Sequence, residues 1–274
     1  MSELERSLIT RRAALSVLGT TVAGAVVAGA TGSVGSSAAA ATTRAAAATT
    51  TRAAAAGTTR AARVAGACTL VAEQEIGPFY VPYDRVREDI VGGTVGLPVQ
   101  LEITVISSLT CQPLRNAAVD IWQCDAEGVY SSESSENTLG QTFLRGVQFT
   151  DKHGQVTFRT IYPGHYAGRT THIHAKVHIG ARDADGTMSG GHVSHVGQLF
   201  PSDAVNAEVY QLAPYNTETV AVVTHAEDRV WTQQHGSESQ LKLAQVGNRL
   251  SKGLTARIAL AVNPRAVSAA VGAS

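Results

Sequence analysis

Thr171-His172-Ile173-His174-Ala175-Lys176-Val177-His178-Ile179 alternates polar and apolar side chains over its whole length. In an extended strand residues i and i+2 share a face. His172, His174, Lys176 and His178 therefore point one way, while Ile173, Ala175, Val177 and Ile179 enter a core. Working outward, Val99, Leu101, Ile103 and Val105 alternate with polar residues in the same manner. Further strands are expected at Val119–Gln123, Val156–Thr160, Val220–Val223 and Ile258–Val262. Asp151-Lys152-His153-Gly154 reads as a hairpin-type turn ahead of the third of these. No convincing amphipathic helix separates the strands, so the expected fold is all-β, an antiparallel β-sandwich with long loops.

The amino-terminal quarter has a different character. Paired Arg11-Arg12 precede a weakly apolar stretch, so residues 1–35 read as an export signal resembling the twin-arginine type. Gly and Thr make that stretch a poor membrane span. Residues 36–66 carry an eight-residue repeat of Thr-Thr-Arg followed by alanines. It holds no large apolar side chain to offset the entropy of ordering, and is expected to be a linker or stalk. The folded domain is expected over residues 67–274. Across all 274 residues, 22 Lys+Arg balance 22 Asp+Glu, so no basic excess exists to neutralise nucleic-acid phosphates. The Gly-x-Ser-x-Gly elbow, the phosphate-binding loop and the dinucleotide fingerprint are all missing from the sequence.

The chemistry concentrates around the His-x-His pair. His172 and His174 lie one pleat repeat apart, about 6.6 Å along a strand, and can converge on one metal ion. His178 lies about 13 Å beyond His174 by the same arithmetic. Lys176 and His178 are read as a solvated strand face, and His192 and His195, in a Gly-rich stretch, are not read as a second metal site. Upstream, Ile161–Thr170 is a Pro- and Gly-bearing loop presenting Tyr162, His165, Tyr166 and Arg169. Trp122–Tyr130 ends a strand in another loop, with Trp122 read as a buried strand residue. The available kit is histidine, tyrosine and arginine.

Trp122–Tyr130, Phe143-Leu144-Arg145-Gly146-Val147-Gln148, Thr160–Tyr166 and Arg169–His174 resemble the signature segments of the intradiol ring-cleavage dioxygenases, the family of protocatechuate 3,4-dioxygenase and catechol 1,2-dioxygenase. Glu75-Ile76-Gly77-Pro78-Phe79-Tyr80 is similar to the family's Gly-Pro segment. The resemblance runs in order from about Cys68 to Ile179 and is nearest the short exported members. It implies a mononuclear non-haem Fe(III) held by Tyr130, Tyr166, His172 and His174. It also implies release of Tyr166 when substrate binds, and Arg169 steadying an anionic substrate. Gly77, Pro78 and Trp122 would border the substrate. The implied partners are a small aromatic diol and O₂, and the implied product is a muconate-type diacid.

Two other readings of the residues stay open. A β-sandwich could bind an aromatic or polysaccharide ligand without turnover. A histidine-based zinc or copper site could do hydrolytic or redox work, although two tyrosine ligands fit zinc poorly. Three cysteines leave an odd thiol in an oxidising compartment. Cys111 lies at the turn before Val119–Gln123 and Cys124 at that strand's far end, about 25 Å away at about 3.3 Å per residue. A disulfide needs Cα atoms within about 7 Å, which argues against Cys111–Cys124 and leaves Cys68 free to pair with either; Cys68–Cys111 is favoured because Cys124 adjoins the buried Trp122 strand as a small apolar residue.

Overall fold

A computed structural model describes residues 68–217 and 219–269. The chain runs through β1 (Pro98–Ser107), β2 (Ala118–Trp122), β3 (Arg145–Phe149), β4 (Gln155–Ile161), β5 (Ile173–Ile179), β6 (Arg182–Ala184), β7 (Thr187–Ser189), β8 (His192–Leu199), helix α1 (Asp203–Val209), helix α2 (Arg229–Gln233), β9 (Lys242–Gln245) and β10 (Leu254–Val262). One sheet has the order β4-β1-β10-β9 and the other β3-β2-β5-β8, with β6-β7 as a separate ribbon. Every pairing is antiparallel except β1 with β10, which run parallel from Val99↔Leu254 to Ser107↔Val262. The expected all-β sandwich is thus present, with one parallel pair inside it. The export signal and the repeat of residues 36–66 lie outside the described residues, and among those described no helix is long and apolar enough to cross a membrane.

The core forms where the alternating strands present their apolar sides. Leu101, Ile103, Val105, Phe158 and Leu260 from one sheet share a buried cluster with Val119, Ile121, Ile173, Ala175 and Val177 from the other. Truncating any of these large aliphatics to Ala would cost about 2–5 kcal/mol. β2 is buried along its full length and β5 nearly so, which means that their sheet is covered on both faces. The outer cover comes from the segment running from Gln74 to Ile90. Arg87 donates its backbone N–H to Val147 O, Leu144 donates to Ile90 O, and Tyr80 packs edge-on against Trp122.

That cover corrects one reading. Lys176 and His178 do share a face with His174, but both are buried rather than solvated. Lys176 lies 4.0 Å from the carboxylate of Asp120, its cross-strand partner, and 3.7 Å from the centre of the Tyr80 ring. Period two reveals which residues share a face, and a chain segment distant in sequence decides whether water reaches it.

Two further expectations change. Asp151–Gly154 does turn the chain, with Gly154 N–H donating to Asp151 O, but β3 and β4 belong to different sheets. It is a sheet-to-sheet corner and not a hairpin. Val220–Val223 forms no strand; Val220 O accepts a hydrogen bond from His165 Nε2 instead of from a neighbouring strand. A short apolar run without a sheet edge to join has no ladder in which to place its peptide groups. The expected disulfide is present between Cys68 and Cys111, with Cα atoms 5.2 Å apart, and Cys124 is a buried free thiol.

Candidate metal centre

His174 sits on the outer face of β5, in one cross-strand row with Trp122 of β2 and Gln198 of β8. The Trp122 indole stacks on the His174 imidazole, with ring centres 4.8 Å apart and planes 5° from parallel. His172 immediately precedes β5. Its Nδ1 lies 2.7 Å from the carbonyl oxygen of Thr170. A carbonyl can only accept, so Nδ1 carries the proton and Nε2 is left with a free lone pair. That Nε2 lies 3.1 Å from His174 Nε2 and 3.1 Å from Tyr166 Oη. Donors bound to one cation at about 2.1 Å and near right angles to each other stand about 3 Å apart. Both pairs have the spacing of neighbouring ligands on one cation.

Tyr130 supplies the fourth side. Its ring centre is 5.7 Å from that of Tyr166 and 6.4 Å from that of His174. Its hydroxyl is fully buried and has no hydrogen-bond partner. A buried hydroxyl without a partner costs about 1–3 kcal/mol, a cost that a bound cation beside Tyr166 would remove. The loops carrying the two tyrosines touch closely. Gly128 has φ +83°, and a Cβ there would lie 2.4 Å from His165 O, so only glycine lets the Tyr130 turn meet the Tyr166 loop. Asp125 Oδ1 accepts the Glu127 and Val129 N–H groups within that turn. Beyond it, buried Arg145 donates from Nε and Nη2 to Ser131 Oγ and O, with its guanidinium carbon 6.0 Å from the Tyr130 ring centre. Gly77 closes the site from the covering segment. It has φ +73°, and a Cβ there would stand 2.9 Å from His174 Cε1. Phe79 stacks on Tyr130 at 4.4 Å and meets Tyr166 edge-on at 5.6 Å.

Burial controls the proton affinities. It holds His172 and His174 well below the usual imidazole range, with Arg169 adding repulsion, so both are neutral and able to ligate. It pushes the Tyr130 hydroxyl well above its ordinary value and Tyr166 up to about 12. Both tyrosines remain phenols unless a strongly Lewis-acidic cation takes their protons' place. Among the described residues no three His, Cys, Asp or Glu side chains come together at one metal position. Here the convergent donors are two imidazoles and two phenols.

The structure places Gly77 and Trp122 against His174, and leaves Pro78 exposed at the edge of the covering segment. Tyr162 and His165 lie outside the ligand cluster: Tyr162 Oη is 2.5 Å from Asn206 Oδ1 and His165 contacts Val220 O. Arg169 is buried, with Nε 2.8 Å from Asp228 Oδ2 and Nη2 2.5 Å from Gln198 Oε1. Sequence reasoning missed Asp228, Gln198 and Phe79. Asp228 carried only the signal of a helix N-cap, Gln198 only that of a strand residue, and Phe79 none beyond its adjacency to Gly77-Pro78.

Comparison with known proteins agrees with this geometry. Residues 76–187 match the family model described as Dioxygenase. A catechol 1,2-dioxygenase from Candida albicans is 32% identical over 98 residues, which is 33% of this chain and 31% of that protein, so the aligned region spans under a third of that relative. The solved structure of an intradiol ring-cleavage dioxygenase from Tetranychus urticae superposes with a TM-score of 0.65 at 31% identity, covering 74% of this chain and 98% of that one. With nearly the whole of a 31%-identical relative matched in sequence and in fold, the chain belongs to the intradiol ring-cleavage dioxygenase family.

Proposed function

We propose that the protein is an exported, Fe(III)-dependent dioxygenase that opens a catechol-type ring between its two hydroxyls to give a muconate-type diacid. The observation that carries this reading is the convergence of Tyr166 Oη, His172 Nε2 and His174 Nε2 beside the orphaned Tyr130 Oη. The donor chemistry fits the metal. Fe(III) is hard and prefers anionic oxygen, and two phenolates with two neutral imidazoles offset most of its charge without a carboxylate. Bound there, Fe(III) would supply the Lewis acidity that makes a catechol ring reactive towards O₂, both of whose atoms end in the diacid.

The residues divide the remaining work. His172, oriented by its bond to Thr170 O, and His174, wedged between Trp122 and Gly77, hold fixed positions. Tyr130 is fully buried and pinned through Arg145 and Ser131, so it would hold the metal throughout. Tyr166 is the more exposed of the two and sits in the Pro-Gly loop; it would be the ligand free to move, and its phenolate would take the proton of one catechol hydroxyl. Arg169 donates to the anionic oxygen of the substrate. Gly77, Pro78 and Trp122 border the aromatic ring. Export agrees with the Cys68–Cys111 disulfide, a bond that persists in oxidising compartments.

Iron-loaded protein should be red-brown from tyrosinate charge transfer, and should take up O₂ with at least one member of a panel of catechols. A colourless iron-loaded protein, or no uptake across the panel, would overturn the reading. His174→Ala should lose both the iron and the colour.

A further inference from the structure

We infer that Asp228 is a positioning residue that sets Arg169 in place before substrate arrives and ties that arginine to the seat of His172. The inference rests on the proposed function, because Arg169 matters only if an anionic substrate binds beside the four-ligand centre.

Asp228 is fully buried at the start of α2. Its two carboxylate oxygens have separate tasks. Oδ1 accepts the N–H groups of Val230 and Trp231 and so caps the helix. Oδ2 accepts from Arg169 Nε at 2.8 Å and from the backbone N–H of Thr170 at 2.9 Å. Thr170 O in turn accepts the Nδ1 proton of His172. One oxygen atom thus holds both the substrate-facing arginine and the residue that orients a metal ligand. A cap needs only Oδ1; the second oxygen, turned to a loop 59 residues away, is unexplained by helix capping.

The other hand of Arg169 is also prearranged. Nη2 donates to Gln198 Oε1, and Gln198 Nε2 donates to Glu75 O at 3.1 Å. Glu75 is held from the same helix region, by Arg229 at 2.7 Å and Gln234 at 3.2 Å from its carboxylate. Glu75 begins the segment that carries Gly77 and Phe79 onto the site. The α2 region therefore grips both sides of the candidate cleft, with Asp228 its contact to Arg169. Buried next to the guanidinium, the carboxylate stays ionised: burial raises its proton affinity, but the bond and charge of Arg169 outweigh this and hold it below the ordinary value. A guanidinium locked by two partners is rigid, and rigidity is what orienting a substrate requires.

The test is a double-mutant cycle on the iron-loaded full chain with Asp228→Asn, Arg169→Ala and the double variant. Asn can keep an acceptor for the helix cap, but its NH₂ would face two donors, Arg169 Nε and Thr170 N–H. The readouts are iron content and affinity for 4-nitrocatechol followed by its absorbance, with kcat and KM for the best catechol beside them. Asp228→Asn is expected to retain iron and weaken 4-nitrocatechol binding at least tenfold. In the Arg169→Ala background the same change should cost less than threefold. Equal losses in both backgrounds, or no loss with Arg169 present, would overturn the inference. A wild-type protein that binds 4-nitrocatechol but cleaves no catechol would count against the proposed function alone.

Discussion

At the scale of single residues, the candidate site depends on side chains whose proton or packing state is set by one neighbour. His172 Nε2 keeps a free lone pair because Thr170 O takes the Nδ1 proton. His174 holds its orientation because nothing but a glycine hydrogen stands between residue 77 and its ring. Gly77→Ala should therefore displace the imidazole. The positive φ and the 2.9 Å approach act together, and the expected result is a stability loss of about 1–3 kcal/mol with reduced iron occupancy, read by denaturant unfolding and metal analysis. An alanine variant with full iron and unchanged stability would show that the covering segment yields easily. The His-x-His spacing was legible in the sequence, because period two is local. The distances to Tyr130 and Tyr166 were not, since they depend on loops that meet only through Gly128 and His165 O.

At the scale of elements, β5 and β8 show how far alternation reaches. The pattern correctly placed His174, Lys176 and His178 on one face, and burial made that face part of the interior. Burial holds His178 and His195 down to about 4, aided at His178 by Lys176 and opposed at His195 by Glu73. Both are neutral in the folded protein and titrate near 6.5 when unfolded. Above about pH 6.5 neither state binds the proton, and their contribution is constant. As pH falls from 6.5 towards 4 the unfolded chain binds more protons, so stability is lost, on the order of 3 kcal/mol per histidine across the window. The melting temperature should fall through that range, and His195→Gln should flatten the fall. An identical pH profile in the variant would mean that His195 is protonated within the fold.

At the scale of the whole molecule, Cys68–Cys111 closes a sequence separation of 43 residues and anchors the start of the covering segment to the β1–β2 turn. The chain-entropy relation assigns such a loop about 4 kcal/mol. Reduction should lower the unfolding midpoint correspondingly. It should also loosen Gly77 and Phe79 over the site, read as faster hydrogen exchange in residues 70–80. Unchanged exchange there would show that the ladder bond from Gln74 N–H to Val196 O holds the segment alone. A chain beginning at Ala67 retains both cysteines and should melt as the full chain does, because the preceding repeat carries no large apolar side chain to bury.

The β class, the strand carrying His174 and the sheet faces were legible along the chain, as was the argument against a Cys111–Cys124 bond. Those follow from local periodicity and from distances along an extended chain. Family membership was also legible in it, through several motifs standing in order. The folded arrangement of distant segments set the burial of Lys176 and His178, the sheet-to-sheet link at Asp151–Gly154 and the irregular course of Val220–Val223. It alone joined Asp228 to Arg169, 59 residues apart in the chain. Hydrogen bonds and burial between distant segments depend on which surfaces the folded chain brings together, and no local pattern of side chains records that meeting.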